Sequence, residues 1–404
     1  MKILILTENY HCGGMDTFLI NLINNWPGQD DFVLVCNYDH PGLERIKKQV
    51  KRNCAIIKHY CITRPQLERR FADSPLAKAL IETAMVLTQY ILFSFYWVYF
   101  YIFIRKARAD KVIICNGGYP AGDTCRAAAL SGLFLAKSQK PLFIYHSRPM
   151  PPRLLKYFPE SLIDWLLTKS ISFLVTVSDY AQKQLTYNRP ILARFRDKKV
   201  IYNGVTMDTA NYSNASLRKE LKIQANAPII LMLGTYEELK GHDFLLRSFL
   251  KLKEQIDNVF LIMAGFGYSG EKGRIRSLIE RYKLQSDVIL LGFRNDVPSL
   301  LRETQVLVVP SQTHESFGLA IIEAMSLGVP VVATDTGGIP EVIQNDRGGF
   351  VVSAADAGRF AEKITLILKD NNLQKAMGEE GRRVYQQRFL PQIMSKQYFG
   401  LINQ

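Results

Sequence analysis

Residues 306–343, VLVVPSQTHESFGLAIIEAMSLGVPVVATDTGGIPEVI, restrict this chain more than any other stretch. Val306–Val309 is a short apolar run that stops at Pro310, as a strand buried on both faces of a parallel sheet does. A polar turn over 311–316 follows. Residues 318–327 then predict a helix, with Leu319, Ile322 and Met325 at helical spacing and Gly328 as its stop. Residues 329–333 predict a second buried strand. A loop with two adjacent glycines, 334–339, leads to Pro340, which suits the first position of another helix.

Two carboxylates stand on this unit. Glu315 lies in the loop before the helix and Glu323 further along the helix. Backbone N–H groups of Ser316, Phe317, Gly318 and Leu319, at a helix start, lack intrahelical partners and suit a phosphate. Carboxylates accept hydrogen bonds from sugar hydroxyls. The set therefore suits a nucleotide-sugar: phosphate at the helix end, one Glu on the sugar, the other on the ribose. Taken singly, Glu315 reads better as a helix-start charge and Glu323 as a solvated face. The flanking residues change that. Glu, seven residues, Glu inside ESFGLAIIEAMSLGVPVVAT, followed by TGGIPE, strongly resembles the donor site of the retaining glycosyltransferases of family four, the glycosyl transferases group 1. The resemblance implies an α/β chain of the GT-B fold: two Rossmann-like domains with parallel sheets facing across a cleft.

A length of 404 residues, 48% apolar and 22% charged, is globular and has room for two domains. The expected division is an acceptor-side domain at 1–204 and a donor-binding domain at 205–387. A C-terminal helix at 388–404 is expected to cross back, as in related GT-B proteins. Asn203-Gly204 is a turn that marks a boundary, and Asn203-Gly204-Val205 resembles the family's junction. Charge is lopsided: residues 1–200 hold 28 Lys and Arg against 15 Asp and Glu, the remainder 23 against 22. A basic half suggests a face that meets an anionic partner. No nucleic-acid-binding motif occurs, so nucleic acid is not expected. The six cysteines (Cys12, Cys36, Cys54, Cys61, Cys115, Cys125) form no C-x-x-C pair. Buried free thiols in a reducing compartment are expected, and no metal site. Lys2 leads at once into an apolar strand, so no signal peptide is expected.

In the first half, a strand at 2–6, a loop with Gly13-Gly14 and a helix at 17–26 form a phosphate-binding arrangement, which a tight turn explains equally well. The resemblance implies that Gly13 and Gly14 approach the donor diphosphate or the acceptor, with Asp16 as an acceptor contact. Residues 85–104 carry no charge and hold nine aromatics, and Arg105, Lys106 and Arg108 follow directly. Such a segment is buried against the sheet or a partner, lies in a membrane interface, or spans. The next strand of the same sheet begins only a few residues later, which argues against spanning. Peripheral attachment through 85–108 is the expectation. A strand at 141–145 delivers His146 and Arg148 to a loop, at the strand end where ligands collect. A lone His there could simply end the strand; the resemblance implies contact with the transferred sugar. Arg148 reads as a phosphate contact for the acceptor or as a solvated charge.

In the second half, Lys240 resembles the family's phosphate-contacting lysine, and a cation there offsets charge on the leaving group. The family's Arg five residues earlier is replaced by Thr235, which removes one cation from the diphosphate. Gly265 follows a strand and lets the backbone approach a ligand or simply turns. The resemblance implies that the base lies near Phe293 and Arg294.

The expected activity is retaining transfer of a sugar, from a UDP-sugar by family frequency, to a glycan or lipid-linked acceptor in bacterial surface polysaccharide synthesis. His146, Glu315 and Lys240 would be catalytic, and Gly13, Gly14, Thr235, Gly265, Phe293, Arg294, Ser316, Phe317, Gly318, Leu319 and Glu323 would line the donor. No cofactor or metal is expected. The chain would sit in the cytoplasm, peripheral on the inner face of the membrane. The other readings are a GT-B sugar-nucleotide epimerase and a non-catalytic glycosyltransferase-like scaffold subunit.

Overall fold

The computed structural model describes residues 1–71, 74–117, 122–146, 150, 157–207, 217–344 and 348–404. The chain divides into two compact units, Met1–Ile201 with Ser395–Gln404, and Tyr202–Met394.

The first unit holds seven parallel strands: β1 Lys2–Glu8, β2 Asp31–Asn37, β3 Cys54–His59, β4 Lys111–Asn116, β5 Leu142–Tyr145, β6 Phe173–Thr176 and β7 Lys198–Val200. Their order across the sheet is β3-β2-β1-β4-β5-β6-β7. The second unit holds six: β8 Ile229–Leu233, β9 Phe260–Ala264, β10 Val288–Gly292, β11 Val306–Val309, β12 Val331–Thr334 and β13 Gly349–Val352. Their order is β10-β9-β8-β11-β12-β13. Both are doubly wound Rossmann orders, in which the chain reverses direction between the first and fourth strands of each unit. Ligands of such sheets collect beyond the carboxyl ends of those two strands. The cause lies in the strands' composition. Ile3, Leu4, Ile5 and Leu6 are fully buried, as are Val306, Leu307 and Val308. Runs apolar on both faces are stable only where helices cover both sides.

Most expected strands lie within a residue or two of those observed. Others were not foreseen: β13, and helices at Leu43–Gln49, Tyr157–Ser170 and Pro190–Ala193. The helix Asp123–Leu130 continues as a 3₁₀ turn, Ser131–Leu133. The polar linkers hid the first of these helices, and β13 begins on a glycine that reads as a turn. The aromatic segment lies in one helix, Pro75–Ala107, of 33 residues. Phe93, Phe100 and Ile104 bury one side of it in the core with Leu4, Val33 and Val112. Ile91, Phe95, Val98 and Ile102, spaced at four, three and four residues, leave the other side exposed. Among the described residues no helix is long and apolar enough to cross a membrane. The six cysteines are free, and Cys36, Cys115 and Cys125 are buried. The last helix, Pro391–Ile402, ends in the first unit. There Ser395 Oγ donates to Leu22 O at 3.2 Å and Phe399 meets Trp26 edge-on at 5.6 Å.

Candidate functional site

In the second unit the site forms where β8 and β11 lie side by side. After β8 the chain makes a 3₁₀ turn, Glu238–Lys240, and enters the helix His242–Lys253 through Gly241 at φ 79°. A Cβ on Gly241 would stand 1.9 Å from Pro310 O, so only glycine lets this loop close onto the end of β11. Gln312 N donates to Leu239 O at 2.8 Å across the same seam.

This approach brings Lys240 and Glu315 together: Lys240 Nζ lies 2.7 Å from Glu315 Oε2, with the side chains 22% and 15% exposed. Glu315 is fixed from several sides. Ser311 Oγ donates to Oε2 at 3.4 Å, and Gly338 N donates to the Glu315 carbonyl at 2.7 Å. Gly337, at φ 67°, backs onto that carbonyl, where a Cβ would stand 2.1 Å away. Thr334 and Thr336 both donate to Ser311 O, at 2.5 and 2.8 Å. The loops after β8, β11 and β12 thus form one hydrogen-bonded block. Burial alone would raise the Glu315 pKa. The charge and hydrogen bond of Lys240 outweigh it and hold the carboxyl below the ordinary value. Lys240 is pushed up in turn, its burial overcome by Glu315. An ionised carboxylate and an ammonium therefore share one partly wet pocket.

Beyond Glu315, Ser316 and Phe317 are buried, and Phe317 meets Tyr202 and Phe389 at 5.9 and 5.8 Å. Gly318, at φ 93°, caps the helix Leu319–Ser326, which carries half-buried Glu323.

Residues 213–384 match the family model described as Glycosyl transferases group 1. That stretch is a group 1 glycosyltransferase domain. Over 206 residues, half of this chain, the sequence is 29% identical to N-acetyl-alpha-D-glucosaminyl L-malate synthase of Bacillus anthracis and spans 52% of that relative's length. It is 25% identical over 301 residues to the capsular polysaccharide biosynthesis glycosyltransferase CapM of Staphylococcus aureus, covering 73% of this chain and 77% of CapM. The fold is similar to Anabaena HepE in complex with UDP-glucose, with a TM-score of 0.72, 20% identity and coverage of 100% and 99%.

Other expected donor residues of the group 1 glycosyltransferase domain take less direct positions. Gly265 follows β9 beside Gly234, where a Cβ would stand 1.6 Å from Gly234 O; it serves the close approach of two strand ends. Phe293 is 38% exposed. Arg294 does not point free. Its guanidinium is held by Asp296 (2.7 Å) and Glu220 (2.6 Å), two carboxylates that take four of its N–H bonds. Thr235 Oγ1 donates to Glu237 Oε2 at 2.6 Å. Where the family carries a cation, this domain holds a hydroxyl bound to an acid. Thr235→Arg is expected to raise kcat/KM for the donor about tenfold, roughly 1.4 kcal/mol of added leaving-group stabilisation. Steady-state kinetics on the matched donor would check it.

In the first unit, Gly13 caps the helix Gly14–Asn24. Asp16, expected to meet an acceptor, is turned inward and fully buried. Its carboxylate accepts from Gly13 N (3.2 Å) and Asn9 Nδ2 (3.0 Å) and pairs with His40 Nε2 (2.8 Å). It holds the glycine loop from beneath. His146 follows β5; its N–H donates to Asn116 O at 3.0 Å and its ring meets Phe18 edge-on at 4.2 Å. Burial depresses its pKa to about 3, so the imidazole is neutral near pH 7. Arg148 lies outside the described residues.

Two acids escaped the sequence reading. Glu237 sits in the Lys240 loop. Glu8 ends β1, accepts from Thr124 N (2.9 Å) and Oγ1 (2.5 Å), and is pushed up to about 6 by burial and then by Asp123. Glu8's place at a strand's carboxyl end was the available signal.

Proposed function

We propose that the protein is a retaining glycosyltransferase of family four that moves a sugar from a nucleotide-sugar, UDP-linked by preference, to a glycan or lipid-linked acceptor. The observation that carries this reading is the Lys240–Glu315 pair at the β8/β11 ends of a group 1 glycosyltransferase domain. Glu315, kept ionised by Lys240, accepts hydrogen bonds from the donor sugar's hydroxyls. Lys240 and the backbone N–H groups at Ser316 to Leu319 meet the diphosphate, and Glu323 meets the ribose. The acceptor hydroxyl oxygen attacks the anomeric carbon on the face that the diphosphate leaves. The carbon–oxygen bond to phosphate breaks as the hydroxyl proton passes to the departing phosphate oxygen, so configuration is kept. Lys240 stabilises the charge that grows on that phosphate. CapM, a capsular polysaccharide glycosyltransferase, supports an acceptor in bacterial surface polysaccharide synthesis. HepE, solved with UDP-glucose, supports a UDP-sugar.

We place the enzyme on the cytoplasmic face of the membrane, attached through 85–108. Ile91, Phe95, Val98 and Ile102 are 59%, 67%, 56% and 45% exposed along one stripe, which ends at exposed Arg105 and Lys106. An apolar stripe with a basic end suits an anionic interface. The triple variant Phe95→Glu/Val98→Glu/Ile102→Glu is expected to co-sediment with phosphatidylglycerol vesicles at least about tenfold less, each lost insertion being worth roughly 1.5 kcal/mol or more. Its melting temperature should hold, because these side chains leave the core untouched. Equal sedimentation would remove the membrane assignment.

The transfer reading is tested by incubating the protein with UDP-, GDP- and ADP-sugars one at a time and assaying released nucleoside diphosphate. Slow release from one donor supports transfer and names the donor. An altered sugar still linked to its nucleotide would make the protein an epimerase. No turnover and no binding with any donor would make it a scaffold subunit, which the Thr235–Glu237 pair favours.

A further inference from the structure

A groove of about 480 Å³ opens in the first unit between the edge strand β3 and the end of the helix Pro75–Ala107. It lies at the starts of β1 and β2, away from the carboxyl ends where the glycine loop and His146 sit. Its floor is apolar. Val33 and Ala55 are register partners on neighbouring strands, and Ile57 is two residues further along β3. Its wall is Phe103 and Ala107 of the helix. The helix covers the middle of this sheet face and stops short of the edge. Ile57 is consequently 39% exposed although it belongs to a strand.

The rim is polar and mainly basic. Lys2 and Lys106 both line it and are exposed. Lys2 Nζ donates to Ala107 O at 2.7 Å, which fixes its ammonium at the helix end. Asp31 is also on the rim, where Asn53 Nδ2 donates to it at 3.3 Å. Arg105 and Arg108 add two further cations to the same helix end. The groove's volume lies in the range of small-ligand sites. An open apolar trough with cations at one end fits an extended chain with an anionic head better than a compact polar solute. A second copy of this chain fits poorly, because two like basic ends would meet.

We propose that this groove binds the single acyl chain of an anionic lipid, with the chain on Val33, Ala55, Ile57 and Phe103 and the head group against Lys2 and Lys106. Each methylene buried there adds to the affinity, so longer chains bind more tightly. The site shares Lys106 with the basic end of the exposed stripe but none of its apolar residues, and it requires no sugar transfer, so it stands or falls independently of the proposed reaction.

The test uses the full chain and two single-chain lipids below their micelle concentrations, lysophosphatidylglycerol and lysophosphatidylcholine, titrated calorimetrically. The expected result is one lysophosphatidylglycerol per chain, with lysophosphatidylcholine about tenfold weaker. Ala55→Trp fills the trough and should abolish binding of both lipids. Lys106→Glu should remove the preference for the anionic head while leaving chain binding. Should Ala55→Trp melt markedly lower, Ile57→Asp, at an exposed position of the edge strand, takes its place with the same expectation. Turnover of donor, measured in parallel, should be unchanged in these variants. The Phe95→Glu/Val98→Glu/Ile102→Glu variant should still bind the monomeric lipid. Absence of binding by the unaltered chain overturns the proposal. So does undiminished binding by both groove variants, or equal affinity for the two head groups.

Discussion

Lys240→Met is expected to lower kcat/KM for sugar transfer by roughly 10²–10³, the usual loss when one preorganised stabiliser of a developing oxyanion is removed. That corresponds to roughly 3–4 kcal/mol of transition-state stabilisation. The fall should appear mainly in kcat, because the interaction strengthens as the phosphate leaves. The pair geometry adds a second expectation. Lys240 Nζ and Glu315 Oε2 stand 2.7 Å apart, and Lys240 is the principal influence that lowers the Glu315 pKa against its burial. Without the ammonium, the carboxyl rises toward and above its ordinary value, so the pH at which transfer reaches half its plateau moves upward. Glu315→Gln should cost a similar factor. The double variant should cost little more than either single one, since each removes the other's function. Pre-steady-state kinetics across pH 5–8 would check this. Full additivity of the two losses would mean that Lys240 and Glu315 act on separate parts of the donor and do not act as a unit.

The residues of this pair were legible in the sequence, but their contact was not. Glu315 stood out through the spacing to Glu323 and the glycine-rich flanks, and Lys240 through its place after the first strand of the donor domain. Periodicity describes only neighbours along the chain. Nothing in it says that Gly241 must pass within van der Waals reach of Pro310 to join the two loops. β11 and β12 were readable as short runs rich in valine, while β13 begins on glycine and carries less pattern. The partners that hold Arg294 and Asp16 were not legible, for a shared reason. A charged residue in a loop near a strand end looks available for a ligand. Glu220, 74 residues from Arg294, and His40, 24 residues from Asp16, come from positions that local pattern does not associate with them. The aromatic helix shows the same division. Its lack of charge was plain, but which of its faces would meet the sheet depended on Leu4, Val33 and Val112, far away in sequence.

Mild acid should destabilise the second unit before it disturbs the Lys240–Glu315 pair. His242 is 1% exposed; burial, then the charge of Arg274, depresses its pKa to about 3 from 6.5. The unfolded chain therefore takes up this proton first as pH falls. Stability is complete above pH 6.5 and is lost progressively below it, by about 2 kcal/mol at pH 5. For a unit of this size that lowers the melting temperature by roughly 4–8 °C. The first unit has two imidazoles depressed by burial, that of His146 to about 3. His59 is 1% exposed, lies edge-on to Phe100 at 5.4 Å, and is held at about 4 chiefly by burial. There Glu8 acts in the opposite sense. Its folded pKa of about 6 exceeds its ordinary 4.5, so the folded chain binds that proton first and gains about 1 kcal/mol by pH 5. The second unit has no such offset from Glu315, whose pKa is lowered; that pair weakens only as pH falls below 4.5. Calorimetric scans from pH 7 to pH 5 should consequently show a loss of about 2 kcal/mol in the transition of the second unit and roughly 3 kcal/mol net in that of the first, where His59 and His146 together outweigh Glu8. His242→Leu should flatten the dependence of the second unit, since leucine has no proton to take up. A slope unchanged by His242→Leu would place the acid sensitivity elsewhere.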